Sequence, residues 1–367
     1  MAKALMFVGS CNGVLGYVPE PKGKGISAYR LDLETGAAEF LAAETDIVNP
    51  TFVAVAPDGK SLLAVSEFAG AVEGELSSYA LGAATGKLTL RGRTGTRGWT
   101  PAHLSFDASG RYAAAINYGD APPDQPGVSV VVVERTADGG IGRVVAEATH
   151  KGSGPDAGRQ SRPHAHCVRW TPDNRFVVVA DLGIDALVVY RFDAATGAIA
   201  HLRDVALTPG AGPRHFVFHP DGRYVYVANE MSSTVASFAF DAADATFRML
   251  GESSTLPQAT PGNSCSAIQI SSDGAHLFVG NRGHNSVARF SIDASGIARF
   301  IGTTPCGGKV PRDFAFDPSG RVLAVANQAS DVITLFRLDP KSGDLLPLGM
   351  PISSGTPTAI AFHPTLA

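Results

Sequence analysis

Hydrophobic and polar residues alternate along a hairpin unit that recurs through the whole chain. One copy, GPRHFVFHPDGRYVYVANE, spans residues 212–230. It predicts an apolar strand at 216–218, a tight turn at 220–222 and a second strand at 224–228. Because the two strands run antiparallel, the residues that open the first strand and close the second emerge at the same end of the hairpin.

The turn of this hairpin occurs seven times. Equivalent turns begin at Pro57, Ala108, Pro172, Pro220, Ser272, Pro318 and Pro364. Successive turns are 46 to 64 residues apart, and a third and a fourth strand fit between them. Four short strands in a repeat of about 50 residues are typical of a propeller blade. The pattern predicts an all-β fold, a seven-bladed β-propeller with four antiparallel strands per blade, as a single domain over residues 1–367.

The two ends of the chain each carry half of a repeat. Residues 357–364, PTAIAFHP, form a first strand with no second strand after them, and residues 5–10 form a second strand with no first strand before them. We expect these strands to pair in one blade and so remove an open sheet edge from the ring. Two stacked β-sandwiches would not explain this split repeat.

Innermost strands line the channel of a propeller, so the open ends of the hairpins should converge at one mouth. A proline opens most first strands, and a polar or small pair ends each second strand. The candidates collected by this register are His103, His166, Arg214, His215, Glu230, Arg282, Arg312 and Asp313, with His164 just outside it and with Asn117, Asn229, Asn281 and Asn327 supplying amides.

Each of these residues also has an ordinary structural interpretation. The repeated asparagines are typical of side chains that bind backbone where a strand meets a turn. A single arginine at a strand start is more often a surface group, and His219 and His363 precede turn prolines as packing residues would. Several arginines, a glutamate and histidines on one face favour a functional site instead.

One repeat is longer than the others, through insertions at 118–127 (YGDAPPDQPG) and 151–162 (KGSGPDAGRQSR). Both leave from the end of the hairpin where Glu230 lies. Functional loops collect on one face of a rigid scaffold, so the insertions could form a lid or rim. Tolerated surface insertions explain each of them equally well.

Composition narrows the class of protein. Thirty Lys and Arg against 34 Asp and Glu give a formal charge of −4, which offers no electrostatic argument for nucleic acid or an anionic membrane. Four cysteines in a long chain without CxxC spacing do not form a disulfide framework. They predict a reducing, cytoplasmic location. No run approaches transmembrane length, and the oligomeric state, monomer or dimer, stays open.

The motifs exclude several kinds of chemistry. The chain has no GxSxG, HExxH or GxGxxG after a strand. His164 and His166 share one strand face, which is weak evidence for a metal, and we predict neither a metal nor a cofactor. Arginines suit carboxylate or phosphate, and a glutamate with a histidine suits proton transfer. The residues favour acid–base chemistry on a small anionic substrate.

Two stretches, PHAHCVRWTPDNRFVVVADLGIDALVVYRFD and GPRHFVFHPDGRYVYVANE, resemble the lactonase family of seven-bladed propellers. That family includes 6-phosphogluconolactonases and muconate lactonizing enzymes. The resemblance implies a lactone that is opened, or formed, without a metal or organic cofactor. It also implies a site of one histidine, one glutamate and two arginines. By motif these fall on His164, with His166 as its rival, and on Glu230, Arg214 and Arg282, while Arg312 matches a recurrent family arginine.

The leading hypothesis is a lactonase that converts 6-phosphoglucono-δ-lactone to 6-phosphogluconate. Glu230 would activate water, and one of the two histidines would protonate the leaving alkoxide. The expected substrate-binding residues are Arg312, His215, His103, Asn229, Asn281 and Asp313. Two alternatives remain open: another lactone, including a muconate-type or non-phosphorylated sugar-acid lactone, and a non-catalytic interaction propeller.

Overall fold

The computed structural model describes residues 2–70, 72–119 and 127–366. Within these ranges the chain forms seven antiparallel sheets, each built around four successive strand positions. Strands contribute almost all of the regular structure, and the helices of the described chain are two short 3-10 turns. The all-β, seven-bladed architecture predicted from the sequence is therefore confirmed.

The strands run in chain order around the ring. The first three blades to be completed contain β1 (Lys3–Ser10), β2 (Ile26–Asp32), β3 (Ala38–Glu44), β4 (Pro50–Val55), β5 (Ser61–Ser66), β6 (Glu75–Leu81), β7 (Leu88–Gly95), β8 (Pro101–Phe106), β9 (Tyr112–Asn117), β10 (Val130–Arg135) and β11 (Ile141–Ala148). The next two contain β12 (Ala165–Trp170), β13 (Phe176–Asp181), β14 (Ala186–Phe192), β15 (Ile199–Ala206), β16 (Pro213–Phe218), β17 (Tyr224–Asn229), β18 (Thr234–Asp241) and β19 (Thr246–Ser254). The last strands are β20 (Ser264–Ile270), β21 (His276–Arg282), β22 (Ser286–Ile292), β23 (Ala298–Pro305), β24 (Pro311–Phe316), β25 (Val322–Asn327), β26 (Val332–Leu338), β27 (Leu345–Pro347), β28 (Ile352–Ser353) and β29 (Pro357–Phe362).

The ring is closed by the two ends of the chain. β29 pairs with β1 from Met6 opposite Phe362 to Ser10 opposite Pro357, with a register shift between Gly9 and Ser10, which confirms the predicted split blade. The innermost strands then contact one another in a closed cycle of β29, β4, β8, β12, β16, β20 and β24. Every innermost strand consequently has a neighbouring blade on each side.

The core lies between adjacent blades, because each sheet is covered on both faces. The second strands are buried along almost their whole length, as in FVVVAD of β13 and SLLAVS of β5. A strand covered on both faces reads as a continuous apolar run and loses the usual alternation. One cluster, for example, joins Phe176 and Val178 of one blade to Phe216 of the next.

The outermost position of the sixth blade is shared by two short strands, β27 and β28, which both pair with β26. The connecting residues 348–351 read LGMP, and Gly349 has a φ of 65°. Proline lacks the backbone N–H that a ladder needs, so the sequence interrupts this strand locally. The interruption is on the outer rim, away from the channel.

Candidate active site

A β-bulge at the start of the innermost strands sets the direction of one side chain per blade. In β16 the register shifts between Pro213 and His215, which leaves Arg214 as the extra residue. The same shift occurs at the start of β4, β8, β12 and β24. Bulges re-aim side chains. The bulged residues that line one cavity are Ala102, His166 and Arg312.

A second set of side chains comes from the ends of the second strands. Because each second strand runs antiparallel to its first strand, its end lies beside the bulge of the same blade. The residues at these ends that line the same cavity are Glu67, Tyr118, Glu230, Arg282 and Gln328. The mouth of the channel predicted from the hairpin register is therefore a real cavity.

The cavity has a volume of about 380 Å³, the size of a small-molecule site. Two connections complete its wall. Tyr17 comes from the segment between β1 and β2, and Arg159 comes from the segment between β11 and β12. Both segments are loops on the face where the bulges lie, as expected for a rigid scaffold that carries its functional residues at one end.

Glu230 is the centre of the charged groups. Its Oε2 lies 2.7 Å from an Nη of Arg282 and 3.1 Å from Nε of Arg214. Its Oε1 accepts a hydrogen bond of 2.6 Å from Arg159. The side chains of Glu230 and Arg214 are 7% and 3% exposed, whereas Arg159 is 47% exposed. Both carboxylate oxygens are thus engaged by arginines, two of them deep and one at the opening.

These contacts determine the ionisation of the carboxylate. Burial alone would raise the pKa of Glu230, but Arg282 and Arg214 lower that pKa well below its ordinary value. Opposite charges at this distance favour the ionised form. Burial and the nearby Arg282 lower the pKa of Arg214, while Glu230 favours its charged form. The ion cluster is therefore charged at neutral pH.

His166 is the histidine whose side chain lines the cavity. Burial, and then the charge of Arg214, lower the pKa of His166 well below its ordinary value, so its ring is neutral at neutral pH. Its Nδ1 is buried and has no hydrogen-bond partner among the described residues. A neutral imidazole that reaches a cavity can accept a proton.

His164 has a different environment. Its ring stacks on Tyr118 at a centroid distance of 4.5 Å, and its Nδ1 lies 2.8 Å from the backbone oxygen of the same tyrosine. Its backbone N–H donates to Asp181, which also contacts the buried His150 at 2.6 Å. His164 is not part of the cavity lining, so the two rival histidines of the PHAH motif are separated by the structure.

The remaining predicted histidines lie below the cavity. The ring of His215 is 5.4 Å from that of His166 and 5.1 Å from that of His103. Burial is the main reason that the pKa values of His103 and His215 are lowered well below the ordinary value. His103 packs on Phe52 at 4.1 Å. These two histidines form a layer that supports His166.

Three further predicted residues also lie outside the cavity lining. Asp313 accepts a hydrogen bond from the backbone of Ile360 in the neighbouring blade. Asn229 donates to Thr234, and Asn281 donates to the backbone oxygen of Thr255. Both asparagines therefore fix the ends of strands, which agrees with the structural interpretation of the repeated asparagines.

Arg312 lines the same cavity with a different set of partners. Its guanidinium stacks 4.5 Å from the ring of Tyr17 and donates a 3.2 Å hydrogen bond to the hydroxyl. The same hydroxyl donates to Glu67 at 2.7 Å. Arg312, Tyr17 and Glu67 therefore form a second polar group in the cavity wall.

The candidates predicted from the sequence leave out several residues of the cavity lining, among them Tyr17, Glu67, Tyr118 and Arg159. Glu67 and Tyr118 stand at the second-strand ends that the repeat register identifies, so the signal was present. Tyr17 and Arg159 lie in loops without a register. The 151–162 insertion does contribute to the rim through Arg159, whereas most of 118–127 lies outside the described residues.

In the part of the chain that the structure covers, no three His, Cys, Asp or Glu side chains come together as metal ligands would. The four cysteines are buried and unpaired with one another. Across the same residues, none of the helices is long and apolar enough to cross a membrane.

Comparisons with known proteins agree with the fold. A sequence model described as "Lactonase, 7-bladed beta-propeller" matches residues 7–362. The chain is 32% identical over 352 residues to a 6-phosphogluconolactonase of Bacillus subtilis, which covers 95% of this chain and 97% of the relative. It is 34% identical over 346 residues to a 6-phosphogluconolactonase of Formosa agariphila, with 93% and 94% covered.

A solved structure shows the same architecture. The periplasmic gluconolactonase of Pseudomonas aeruginosa superposes with a TM-score of 0.88 at 31% sequence identity. The alignment covers 98% of this chain and 99% of that protein.

Proposed function

Because this chain belongs to the lactonase family of seven-bladed β-propellers, we propose that it hydrolyses a small anionic sugar lactone, with 6-phosphoglucono-δ-lactone as the substrate. The observation that carries the proposal is the charge of the cavity. The charged residues of its lining are Arg159, Arg282, Arg312, Glu67 and Glu230. The buried Arg214 is not part of the lining but contacts Glu230.

Four arginines against two glutamates give this cavity an excess of two positive charges. A phosphorylated sugar lactone carries a phosphate of nearly two negative charges at neutral pH, and guanidinium groups bind phosphate through paired hydrogen bonds. The volume of about 380 Å³ suits one sugar-sized molecule. The names of the two curated relatives, both 6-phosphogluconolactonases, support the same substrate.

His166 is the group we assign to proton transfer. Its ring is neutral and lines the cavity, so it can accept a proton from water as the water oxygen bonds to the lactone carbonyl carbon. When the ring C–O bond breaks, His166 returns that proton to the departing oxygen, which becomes a hydroxyl group. The product is the open-chain carboxylate, and the proton of the new carboxylic acid passes to solvent.

Glu230 then has a different task from the base role that the sequence suggests. Two arginines contact its Oε2 and a third contacts its Oε1 before substrate enters, so we assign Glu230 to charge stabilisation and not to proton transfer. Its negative charge holds Arg214 and Arg282 in place and favours the imidazolium that forms on His166. The arginines stabilise the negative charge that develops on the carbonyl oxygen.

The test is a panel of lactones with and without a 6-phosphate, measured against the uncatalysed rate of each. We expect 6-phosphoglucono-δ-lactone to have the highest kcat/KM, and His166→Gln to lower it by about 10²- to 10⁴-fold in a folded protein. Faster turnover of glucono-δ-lactone would replace the phosphorylated substrate by a non-phosphorylated one. That second candidate is favoured by the resemblance to the Pseudomonas gluconolactonase. A protein that hydrolyses none of the panel is not a lactonase of this kind.

A further inference from the structure

Arg159 differs from the other arginines of the site in how the chain supports it. Residues 149–164 connect β11 to β12, whereas residues 45–49 suffice for the equivalent connection between β3 and β4. The long connection reaches the cavity and places the guanidinium of Arg159 in its wall. Because the insertion supplies a charged group to the site, it is more than a tolerated surface loop.

The loop is built to hold this residue. Gln160 is completely buried, and its amide donates to the backbone oxygen of Leu182 and to a carboxylate oxygen of Asp185, both at 2.8 Å. Asp156 accepts hydrogen bonds from the backbone N–H groups of Gly158 and Arg159. The backbone on each side of the guanidinium is therefore fixed while the side chain itself stays half exposed.

Asp185 ties the loop to the rest of the site. Besides Gln160, it accepts hydrogen bonds from the backbone N–H groups of Gly210 and Gly212. Gly212 is the residue before Pro213, which opens β16, and Arg214 is the bulged residue that follows. One carboxylate consequently positions both the loop that carries Arg159 and the strand start that carries Arg214.

The contacts of Arg159 can be exchanged without dismantling the ion cluster. It donates to Oε1 of Glu230 at 2.6 Å and to the hydroxyl of Tyr118 at 3.4 Å. When Arg159 turns away, Glu230 keeps Arg214 and Arg282 on its other oxygen. Arg159 has 47% of its side chain exposed, against 3% for Arg214 and 17% for Arg282. It is the partner of Glu230 that can follow an incoming anion.

We propose that Arg159 is a specificity-determining residue, which exchanges Glu230 for the phosphate of the substrate when a phosphorylated lactone enters. This inference rests on the proposed lactonase function and adds the residue that selects the phosphate. The exchange keeps the guanidinium paired before and after binding, so no unpaired charge is created.

The experiment compares kcat/KM of the full chain on 6-phosphoglucono-δ-lactone and on glucono-δ-lactone for three variants. Arg159→Met should lower the value for the phosphorylated lactone by about 10- to 100-fold, the size of a lost charged hydrogen bond, and the value for glucono-δ-lactone by a much smaller factor. Arg159→Lys should recover part of the preference. Lys151→Met is the matched control, because it removes one positive charge from the same insertion at an exposed position.

Inorganic phosphate gives an independent readout. As an inhibitor of glucono-δ-lactone hydrolysis it should bind Arg159→Met at least about 10-fold more weakly than the wild type or Lys151→Met. Equal loss on both lactones, or unchanged inhibition by phosphate, would overturn the role of Arg159. The proposed function fails separately, when the wild-type protein hydrolyses neither lactone.

Discussion

Glu230 illustrates how a carboxylate can stay charged after burial. Burying a charge costs several kcal/mol unless a partner compensates it, and here three arginines do so within 3.1 Å. The compensation is mutual, since Arg214 is as buried as Glu230. Removing either partner would leave the other charge inside the protein, so substitutions of this pair affect stability together with activity. For that reason the less buried Arg159 and the neutral His166 are better probes of function.

Asp313 offers a test of ionisation that is separate from catalysis. Burial raises the pKa of Asp313 to about 6, above the roughly 3.9 of a carboxyl group in an unfolded chain. The folded protein binds this proton more tightly, so the contribution of Asp313 to stability falls as the pH rises from about 4 to about 6 and remains unfavourable above that range.

Asp313→Asn should therefore stabilise the protein at neutral pH. The amide keeps an oxygen that can accept from the N–H of Ile360 and removes the buried charge. We expect the free energy of unfolding at pH 7.5 to increase by about 1 to 3 kcal/mol, with little change at pH 4, as measured by urea denaturation. A variant that is less stable at pH 7.5 would show that the charge of Asp313 is needed by the nearby Arg214.

The residues of the site fall into two groups according to whether the sequence could identify them. Arg214, His166 and Arg312 follow the opening of an innermost strand, and the repeat fixes that position in every blade. Register alone does not say where each side chain goes, however, and Asn229 lies in the register without reaching the cavity. Arg159 is in a loop that no other blade possesses. Its position depends on the contacts of Gln160, which no periodicity encodes.

At the scale of the strand, the bulge explains why the repeat can serve both fold and function. The residue before the opening proline has a positive φ in five blades, namely Asn49, Thr100, Gly212, Val310 and Thr356. Residues before proline normally avoid helical conformations and prefer extended ones, so this turn is a strained feature held by its surroundings. The sequence revealed the proline but not the bulge, because the offset falls at the first residues of the strand, before most of its apolar positions.

The turn histidines provide a test of the contacts between blades. Nε2 of His219 lies 3.1 Å from the backbone oxygen of Gly274, and Nε2 of His363 lies 3.1 Å from that of Gly59. Each histidine joins its own turn to the equivalent turn of another blade. These contacts between turns agree with the packing role predicted for both histidines.

Two glycines with the same φ of 74° allow the stabilisation from this contact to be measured separately from backbone strain. A Cβ at Gly222 would meet no heavy atom of the described residues within 4 Å, whereas a Cβ at Gly274 would meet the ring of His219. We expect Gly222→Ala to lower the free energy of unfolding by about 1 kcal/mol through backbone strain. Gly274→Ala should lower it by about 1 kcal/mol more, since His219 must move and its hydrogen bond is weakened. Equal losses in denaturant titrations would mean that the histidine contact contributes nothing.

At the scale of the whole molecule, the closed ring supplies the rigidity that the site requires. The cavity takes side chains from strands that are far apart in sequence, and their relative positions depend on every intervening blade. Ring closure through β29 and β1 was predictable because the terminal halves of the repeat were visible in residues 5–10 and 357–364. The order of the blades followed from the order of the repeats, so the fold was more accessible to sequence analysis than the loops at its mouth.

The closing strand should therefore carry a large share of the cooperativity of folding. β29 pairs with β1 and contacts both β4 and β24, and Ile360 and Ala359 contribute to two separate core clusters. Deleting residues 357–367 would expose the inner edge of β1 and open the channel. We expect the truncated chain to lose its sharp thermal transition and to aggregate.

Deleting only 364–367, which follow β29, is the matched control and should shift the Tm by no more than a few degrees. A synthetic peptide of residues 355–367, added to the truncated chain, should restore part of the transition by pairing as the missing strand. A truncated chain with a sharp transition near the original Tm would show that six blades and three strands are stable without closure.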